Sequence, residues 1–128
     1  YCTALPKSYL INFEKVHRDR INTTIENMKY KDNVIIGTDG GTTNNSVKEL
    51  ISQAIFLKEK GKFTNLEILQ MMTLNPGKYI LDGNVGLIGK GNIADLVLLN
   101  KNPLESLENL REIQGVYKEG KKIILVNN

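Results

Sequence analysis

The feature that most constrains the fold of this chain is a run of β-branched residues, Val34-Ile35-Ile36, followed by the loop Gly37-Thr38-Asp39-Gly40-Gly41-Thr42. The run has no polar alternation, which is typical of a strand covered on both faces in a parallel sheet. Asp39 follows the carboxyl end of that strand, where α/β sheets and barrels place their chemistry. The pattern therefore predicts an α/β fold with Asp39 as its main functional candidate.

Length and composition limit the classes of protein to consider. The 128 residues are enough for one modest domain or a piece of a larger one, and a chain that begins at Tyr1 without methionine predicts a cut. The net charge of +3 comes without a basic stripe and interleaved aromatics, so we expect no nucleic-acid partner. The single cysteine, Cys2, fits a cytoplasmic setting, and no apolar run reaches the roughly 20 residues of a membrane span.

Helix signals surround the Val34 run. A loose apolar stripe predicts a first helix between Phe13 and Met28. Ser46 and Glu49 have capping-box spacing, which predicts a helix that runs to Lys60 and stops at Gly61.

A second capping box, Thr64 with Glu67, opens another apolar helix, whose Met71-Met72 pair we expect in the core. Asn75-Pro76 breaks that helix, and Pro76 suits the first turn of a short third one. The chain up to residue 82 is thus expected to alternate strand and helix.

The remainder of the chain is expected to be mostly β-structure. Ala94–Leu99 has the pattern of a compact strand, and a short helical segment is expected over Leu104–Leu110. Gln114–Lys118 and Lys122–Val126 form the arms of a predicted hairpin, joined at Glu119-Gly120.

Asp39 could bind a divalent metal or accept a proton from a metal-bound water. Either role needs other residues, because a catalytic zinc takes three protein ligands and a lone exposed carboxylate binds only at roughly millimolar or worse. The chain has one histidine, His17, which we expect to be solvated or at the edge of the core. On its residues alone, the chain does not hold a complete metal site.

Two other interpretations of the loop stay open at this point. Gly40-Gly41-Thr42, between a strand and a helix, could present backbone N–H groups to an anion such as phosphate. That pattern lacks the spacing of known phosphate loops, and Asp39 would repel a phosphate. The other interpretation is a tight turn that happens to contain aspartate and glycine.

A set of segments in fixed order favours the metal-binding interpretation of the loop over the other two. They are Gly37-Thr38-Asp39-Gly40-Gly41, Leu66–Pro76, Gly86–Leu99, Asn102-Pro103-Leu104-Glu105 and Val116–Lys121. In order and spacing this set closely resembles the C-terminal part of the metal-dependent amidohydrolase superfamily. Within it, the resemblance is strongest to the branch of imidazolonepropionase-like enzymes and Xaa-Pro dipeptidases.

The resemblance implies a fold and a role for each aspartate. Residues 1–82 would be the last βα portion of a TIM-like (β/α)8 barrel, with the Val34 strand as its eighth strand. Residues 83–128 would be the C-terminal strands of a small accessory β-sandwich. Asp39 would be a metal ligand and the water-activating base, whereas Asp95 would satisfy turn amides without a catalytic role.

The chain also departs from the family pattern. The His-x-His pair of the first strand, the lysine or glutamate of the fourth and the histidines of the fifth and sixth have no counterpart here, and His17 matches no family ligand. Gly77 stands where the family usually has alanine, which we expect to be a minor change.

We therefore expect the C-terminal fragment of an enzyme that hydrolyses amide or cyclic amide C–N bonds in a small-molecule substrate. The complete enzyme would hold a divalent metal, zinc, whereas the fragment alone would bind none and be inactive. Gly40, Gly41 and Thr42 are the candidate substrate-contacting residues. The alternatives are a non-enzymatic module that forms a homo-oligomer through its exposed barrel edge, and an anion-binding module.

Overall fold

A computed structural model describes Thr23, Glu26 and residues 34–38, 49–81 and 83–123. The chain divides into two compact units, Tyr1–Tyr30 and Lys31–Asn128. In the first unit, Thr23 and Glu26 are helical, in agreement with the helix predicted there. All further elements described below belong to the second unit, and the predicted boundary between residues 82 and 83 stays a prediction.

Helix α1 spans Leu50–Gly61, and both of its ends differ from the prediction. Glu49 is the N-cap residue and makes no side-chain capping hydrogen bond. Its predicted capping-box partner, Ser46, lies outside the described residues. At the other end the left-handed residue is Lys62, with φ of 55°, whereas Gly61 is still helical. Gly61 lies against the Phe63 ring, which a Cβ at this position would overlap. Glycine is needed there for space rather than for its φ angle.

Helix α2 spans Asn65–Met72 and begins with the predicted capping box. The Glu67 N–H donates to Thr64 Oγ1 at 3.2 Å, and the Thr64 N–H donates to Glu67 Oε2 at 2.8 Å. These two bonds satisfy N–H groups that have no partner within the helix. This start was predictable because both partners lie within one turn.

Helix α3 spans Leu74–Tyr79 and is separated from α2 by Thr73 alone. Pro76 lies in its first turn, where a missing N–H costs nothing, as predicted. The Gly77 N–H donates to the Thr73 carbonyl at 3.1 Å and so starts the new helix. Asn75 and Gly77 are both buried.

Three antiparallel strands form one sheet in the order β1-β2-β3. They are β1 Leu96–Leu99, β2 Ile113–Lys118 and β3 Lys121–Ile123. The pairing of β1 with β2 shifts by one residue between Leu98 and Leu99, which places a bulge at Gln114. This small sheet is the β-structure expected in the second part of the chain, although β1 starts two residues later than predicted.

The turn between β2 and β3 is the predicted Glu119-Gly120 hairpin turn. Both residues have positive φ angles, 50° and 76°, as a two-residue type I′ turn requires. A residue outside the hairpin also stabilises the turn, because the Gly120 N–H donates to the Ala94 carbonyl at 2.9 Å. The hairpin and the residues before β1 are therefore one packed unit.

The helices share a small apolar core with a 3₁₀ helix over Leu107–Arg111. This helix, which the sequence placed about three residues too early, packs against α1, and Arg111 Nη2 donates to Ser52 Oγ at 3.1 Å. The buried apolar residues of the described chain are Ala54, Phe63, Ile68, Met71 and Leu107. Of the predicted core pair, Met71 is buried, as expected, whereas Met72 is only half-buried.

The prediction of a strand covered on both faces at Val34–Ile36 is wrong for the described residues. Residues 34–38 have no sheet pairing, and Val34, Ile35 and Ile36 are only half-buried. A strand needs a neighbouring strand for its backbone hydrogen bonds. In the described part of the chain, residues 34–38 form hydrogen bonds with the junction between α2 and α3 and not with a second strand.

Candidate functional site

The predicted site residues Asp39, Gly40, Gly41 and Thr42 lie outside the described residues, as does His17. What the structure describes is the segment of residues 34–38 that leads directly to Asp39. The contacts that hold this segment are the part of the candidate site that the structure describes.

Two hydrogen bonds attach residues 34–38 to the junction between α2 and α3. The Ile36 N–H donates to the Met71 carbonyl at 3.2 Å. The side chain of Asn75 donates through Nδ2 to the Val34 carbonyl at 2.7 Å. The last carbonyls of a helix have no partner within it, so Met71, next to the end of α2, is free to accept a bond from outside. The short break between the two helices thus positions the segment before Asp39.

Asn75 is the residue that the sequence analysis missed. It is a buried polar residue, 6% exposed, and its amide reaches a segment 41 positions earlier in the chain. The sequence marked it only as a helix breaker next to Pro76. A signal was present, because a large polar residue among apolar helix positions is expected to have a buried partner.

The backbone of the loop that follows α3 packs directly against the backbone of the α2–α3 junction. The Gly83 N–H donates to the Gly77 carbonyl at 2.9 Å. A Cβ on Gly77 would overlap the Val85 carbonyl oxygen, and one on Gly86 would overlap the Thr73 carbonyl oxygen. The expectation that Gly77 is a minor change is therefore wrong for this chain, because an alanine would need the loop to move.

Asp95 has the structural role that the resemblance implied. Its Oδ1 accepts the Glu119 N–H at 2.8 Å, and its Oδ2 accepts Lys118 Nζ at 2.5 Å. The hydrogen bond from Lys118, with that from Glu119, lowers the pKa of the Asp95 carboxyl. The hydrogen bond and charge of Asp95 in turn raise the pKa of the Lys118 amine. Asp95 is thus occupied in fastening the hairpin turn.

The described residues do not fit a metal ion. Within residues 34–38, 49–81 and 83–123, no three histidine, cysteine, aspartate or glutamate side chains come together as a metal site would require. The rest of the sequence, outside the described residues, adds five carboxylates but only one histidine and one cysteine, and the usual catalytic zinc sets need at least two histidines or two cysteines. None of the helices that the structure describes has the length and apolar character to cross a membrane.

The amidohydrolase family model matches residues 6–123, almost the whole chain. The chain belongs to the amidohydrolase family. This confirms the resemblance at the level of the family, and it relates the fold to a portion of a TIM barrel followed by a small three-stranded antiparallel sheet. A comparison with curated protein sequences found no match.

Two solved structures are similar to this chain. One comes from a structural and catalytic characterisation of molinate hydrolase, with 29% identity and a TM-score of 0.57. The match covers 61% of this chain and 17% of that one. The other is a crystal structure of an amidohydrolase, with 22% identity and a TM-score of 0.53, covering 59% of this chain and 19% of that one. The chain thus spans less than a fifth of the length of either structure.

Proposed function

We propose that this chain supplies the C-terminal part of a metal-dependent amidohydrolase that cleaves C–N bonds, amide or cyclic amide, in a small-molecule substrate. The family match over residues 6–123 carries the proposal. The coverage of 17% and 19% of the similar structures supports a catalytic site completed by residues from outside this chain. The imidazolonepropionase and Xaa-Pro dipeptidase branch remains our choice within the family.

Asp39 is the residue that we propose this chain contributes to catalysis, as a metal ligand and general base. Its position one residue after the anchored segment 34–38 supports this role, because catalytic groups need a rigidly held backbone. Gly40, Gly41 and Thr42 would then contact substrate. We propose zinc as the divalent metal and the cytoplasm as the location, the latter supported by the single cysteine.

The first experiment measures the 128-residue chain by itself. We expect no hydrolysis of a simple amide, with or without added zinc, because one histidine and one cysteine cannot complete a catalytic zinc site. Hydrolysis that depends on added zinc and disappears in Asp39→Ala would show that the chain is active alone.

The second experiment uses the longer protein that we propose contains this chain. Replacing Asp39 by alanine should lower kcat for amide hydrolysis by about 10²–10⁴, the usual contribution of a general acid or base. Asp95→Ala is the matched control, because Asp95 fastens a hairpin turn and should leave kcat close to that of the wild type. Equal losses in the two variants would contradict a catalytic role for Asp39.

One observation favours a second candidate, a self-associating module. In the described part of the chain β1 lies at the edge of its sheet, and three of its four residues, Leu96, Val97 and Leu98, are exposed. An apolar edge strand is a template for pairing with another chain. No described residue bears on the anion-binding alternative at Gly40-Gly41-Thr42, which a phosphate titration would test.

A further inference from the structure

The side chain of Asn75 is buried at a point where the fold gains nothing from a polar group except its hydrogen bonds. It is 6% exposed, and it lies at the start of α3, four residues after the core residue Met71. Burying an amide without a partner is unfavourable, because the amide loses its hydrogen bonds to water. The bond from Asn75 Nδ2 to the Val34 carbonyl, at 2.7 Å, offsets this cost and connects α3 to residues 34–38.

The bond from Asn75 acts together with the bond between Ile36 and Met71. In an extended chain, residues two apart direct their backbone polar groups to the same edge. The Val34 carbonyl and the Ile36 N–H therefore both face the α2–α3 junction, which satisfies one with a side-chain amide and the other with a helix-end carbonyl. The junction takes the place that a neighbouring strand would occupy.

We propose that Asn75 is a positioning residue that sets the register of residues 34–38, the segment that leads to Asp39, against the helices. Among the described hydrogen bonds, that of Ile36 alone would let the segment pivot, whereas this bond and the Asn75 bond on the same edge fix both its direction and its register. A slip of one residue would turn every following side chain to the opposite face. The catalytic meaning of this placement rests on the proposed function, but the contact itself does not.

The test compares two asparagines that make the same kind of contact. Asn65 Nδ2 donates to the Leu104 carbonyl at 2.8 Å, 39 positions away, and has no described bond to residues 34–38. Asn75→Leu and Asn65→Leu each remove one side-chain amide without adding charge and with little change in volume. Both variants are made in the full 128-residue chain.

Two signals report on the segment rather than on overall stability. The first is hydrogen exchange of the Ile36 amide relative to the slowest amides of the helices, and the second is the NMR resonance of the Asp39 carboxyl carbon. Asn75→Leu should speed Ile36 exchange about tenfold, on the scale of one lost hydrogen bond, and shift the Asp39 resonance. Asn65→Leu should leave both at the wild-type values.

Equal effects of the two substitutions, or no change at Ile36 and Asp39 in a folded Asn75→Leu chain, would overturn the proposal. If Asn75→Leu does not fold, the proposal is tested by a measurement on the wild-type chain. A scalar coupling across the hydrogen bond between Asn75 Nδ2 and the Val34 carbonyl carbon supports the proposal, and its absence overturns it. Neither signal measures hydrolysis, so a failure here is distinct from a failure of the proposed amidohydrolase activity.

Discussion

At the scale of single residues, Asp95 and Thr64 show how local polar contacts stabilise this chain. Asp95 fastens the hairpin turn from outside the sheet, and Thr64 starts α2. Both side chains bind backbone N–H groups that would otherwise lack a partner. Both roles follow from residue type and short-range spacing, or from the family resemblance, and could be predicted without coordinates.

The lowered pKa of Asp95 should make the stability of the folded chain depend on pH under acidic conditions. The pKa of its carboxyl in the folded chain is below the ordinary 3.8, so the unfolded chain binds a proton more readily than the folded chain. The contribution of Asp95 is therefore present above pH 3.8 and is lost as pH falls through the lowered pKa. We expect Asp95→Asn to lower Tm at pH 7, with a difference from wild type that shrinks below pH 3.8.

The control for this measurement is Glu112→Gln. Glu112 accepts a hydrogen bond from Lys101 at 3.3 Å, with both side chains about half exposed or more. Exposed pairs of this kind contribute little, so Tm should change little at any pH. A Tm difference between Asp95→Asn and wild type that stays constant from pH 7 to pH 2.5 would contradict the role assigned to the Asp95 charge.

Thr64→Ala should lower the free energy of unfolding by about 1 kcal/mol, because it removes the capping hydrogen bond to the Glu67 N–H. Thr64→Ser retains the hydroxyl and should stay close to the wild type. Urea unfolding of both variants checks this. A loss of similar size in Thr64→Ser would assign the effect to the methyl group instead of the cap.

At the scale of elements, the loop between α3 and β1 depends on two glycines for different reasons. Gly83 and Gly86 have nearly the same positive φ angles, 82° and 81°. A Cβ on Gly83 would have nothing within 4 Å, whereas one on Gly86 would overlap the Thr73 carbonyl. The pair thus separates the cost of the backbone angle from that of close packing.

We expect Gly83→Ala to lower the free energy of unfolding by about 1–2 kcal/mol, the cost of a left-handed angle for a residue with a Cβ. Gly86→Ala should lower it by about 1–3 kcal/mol more, because the helix junction must also shift. Denaturant unfolding at one temperature measures both. Equal losses would show that the loop yields easily at Thr73.

At the scale of the whole molecule, many of the apolar side chains in the described part of the chain are exposed. Ile80, Leu81, Leu87 and Ile88 are each more than half exposed, as is Val97 on the edge strand β1. Extended apolar surface of this kind marks a face that another segment or chain covers. The family relationship and the short coverage of the similar structures agree with this interpretation.

Val97→Lys should therefore reduce self-association of the 128-residue chain, because a lysine on an edge strand disfavours pairing with a second strand. Leu104→Lys is the matched control, since Leu104 is similarly exposed at 52% but lies outside the sheet. Sedimentation velocity over a range of concentrations measures the effect. A chain that is monomeric at every concentration would contradict the self-associating alternative.

The sequence by itself determined whatever depends on neighbours along the chain. The Thr64 cap and the Glu119-Gly120 turn were predictable, because their partners lie within a few residues. A helix break was also predicted, at Asn75-Pro76, and the structure has it two residues earlier, at Thr73. The ordered motifs also predicted the amidohydrolase family, which the family match confirms.

The tertiary structure alone decided the contacts between distant segments. Nothing near Asn75 indicates that its amide binds Val34, and nothing near Gly77 indicates that Val85 packs against it. The unbroken apolar run at Val34–Ile36 predicted a covered strand, but covering depends on what else packs there. Local patterns specify the elements because their hydrogen bonds are short-range, whereas burial and close packing depend on residues that the chain brings together only by folding.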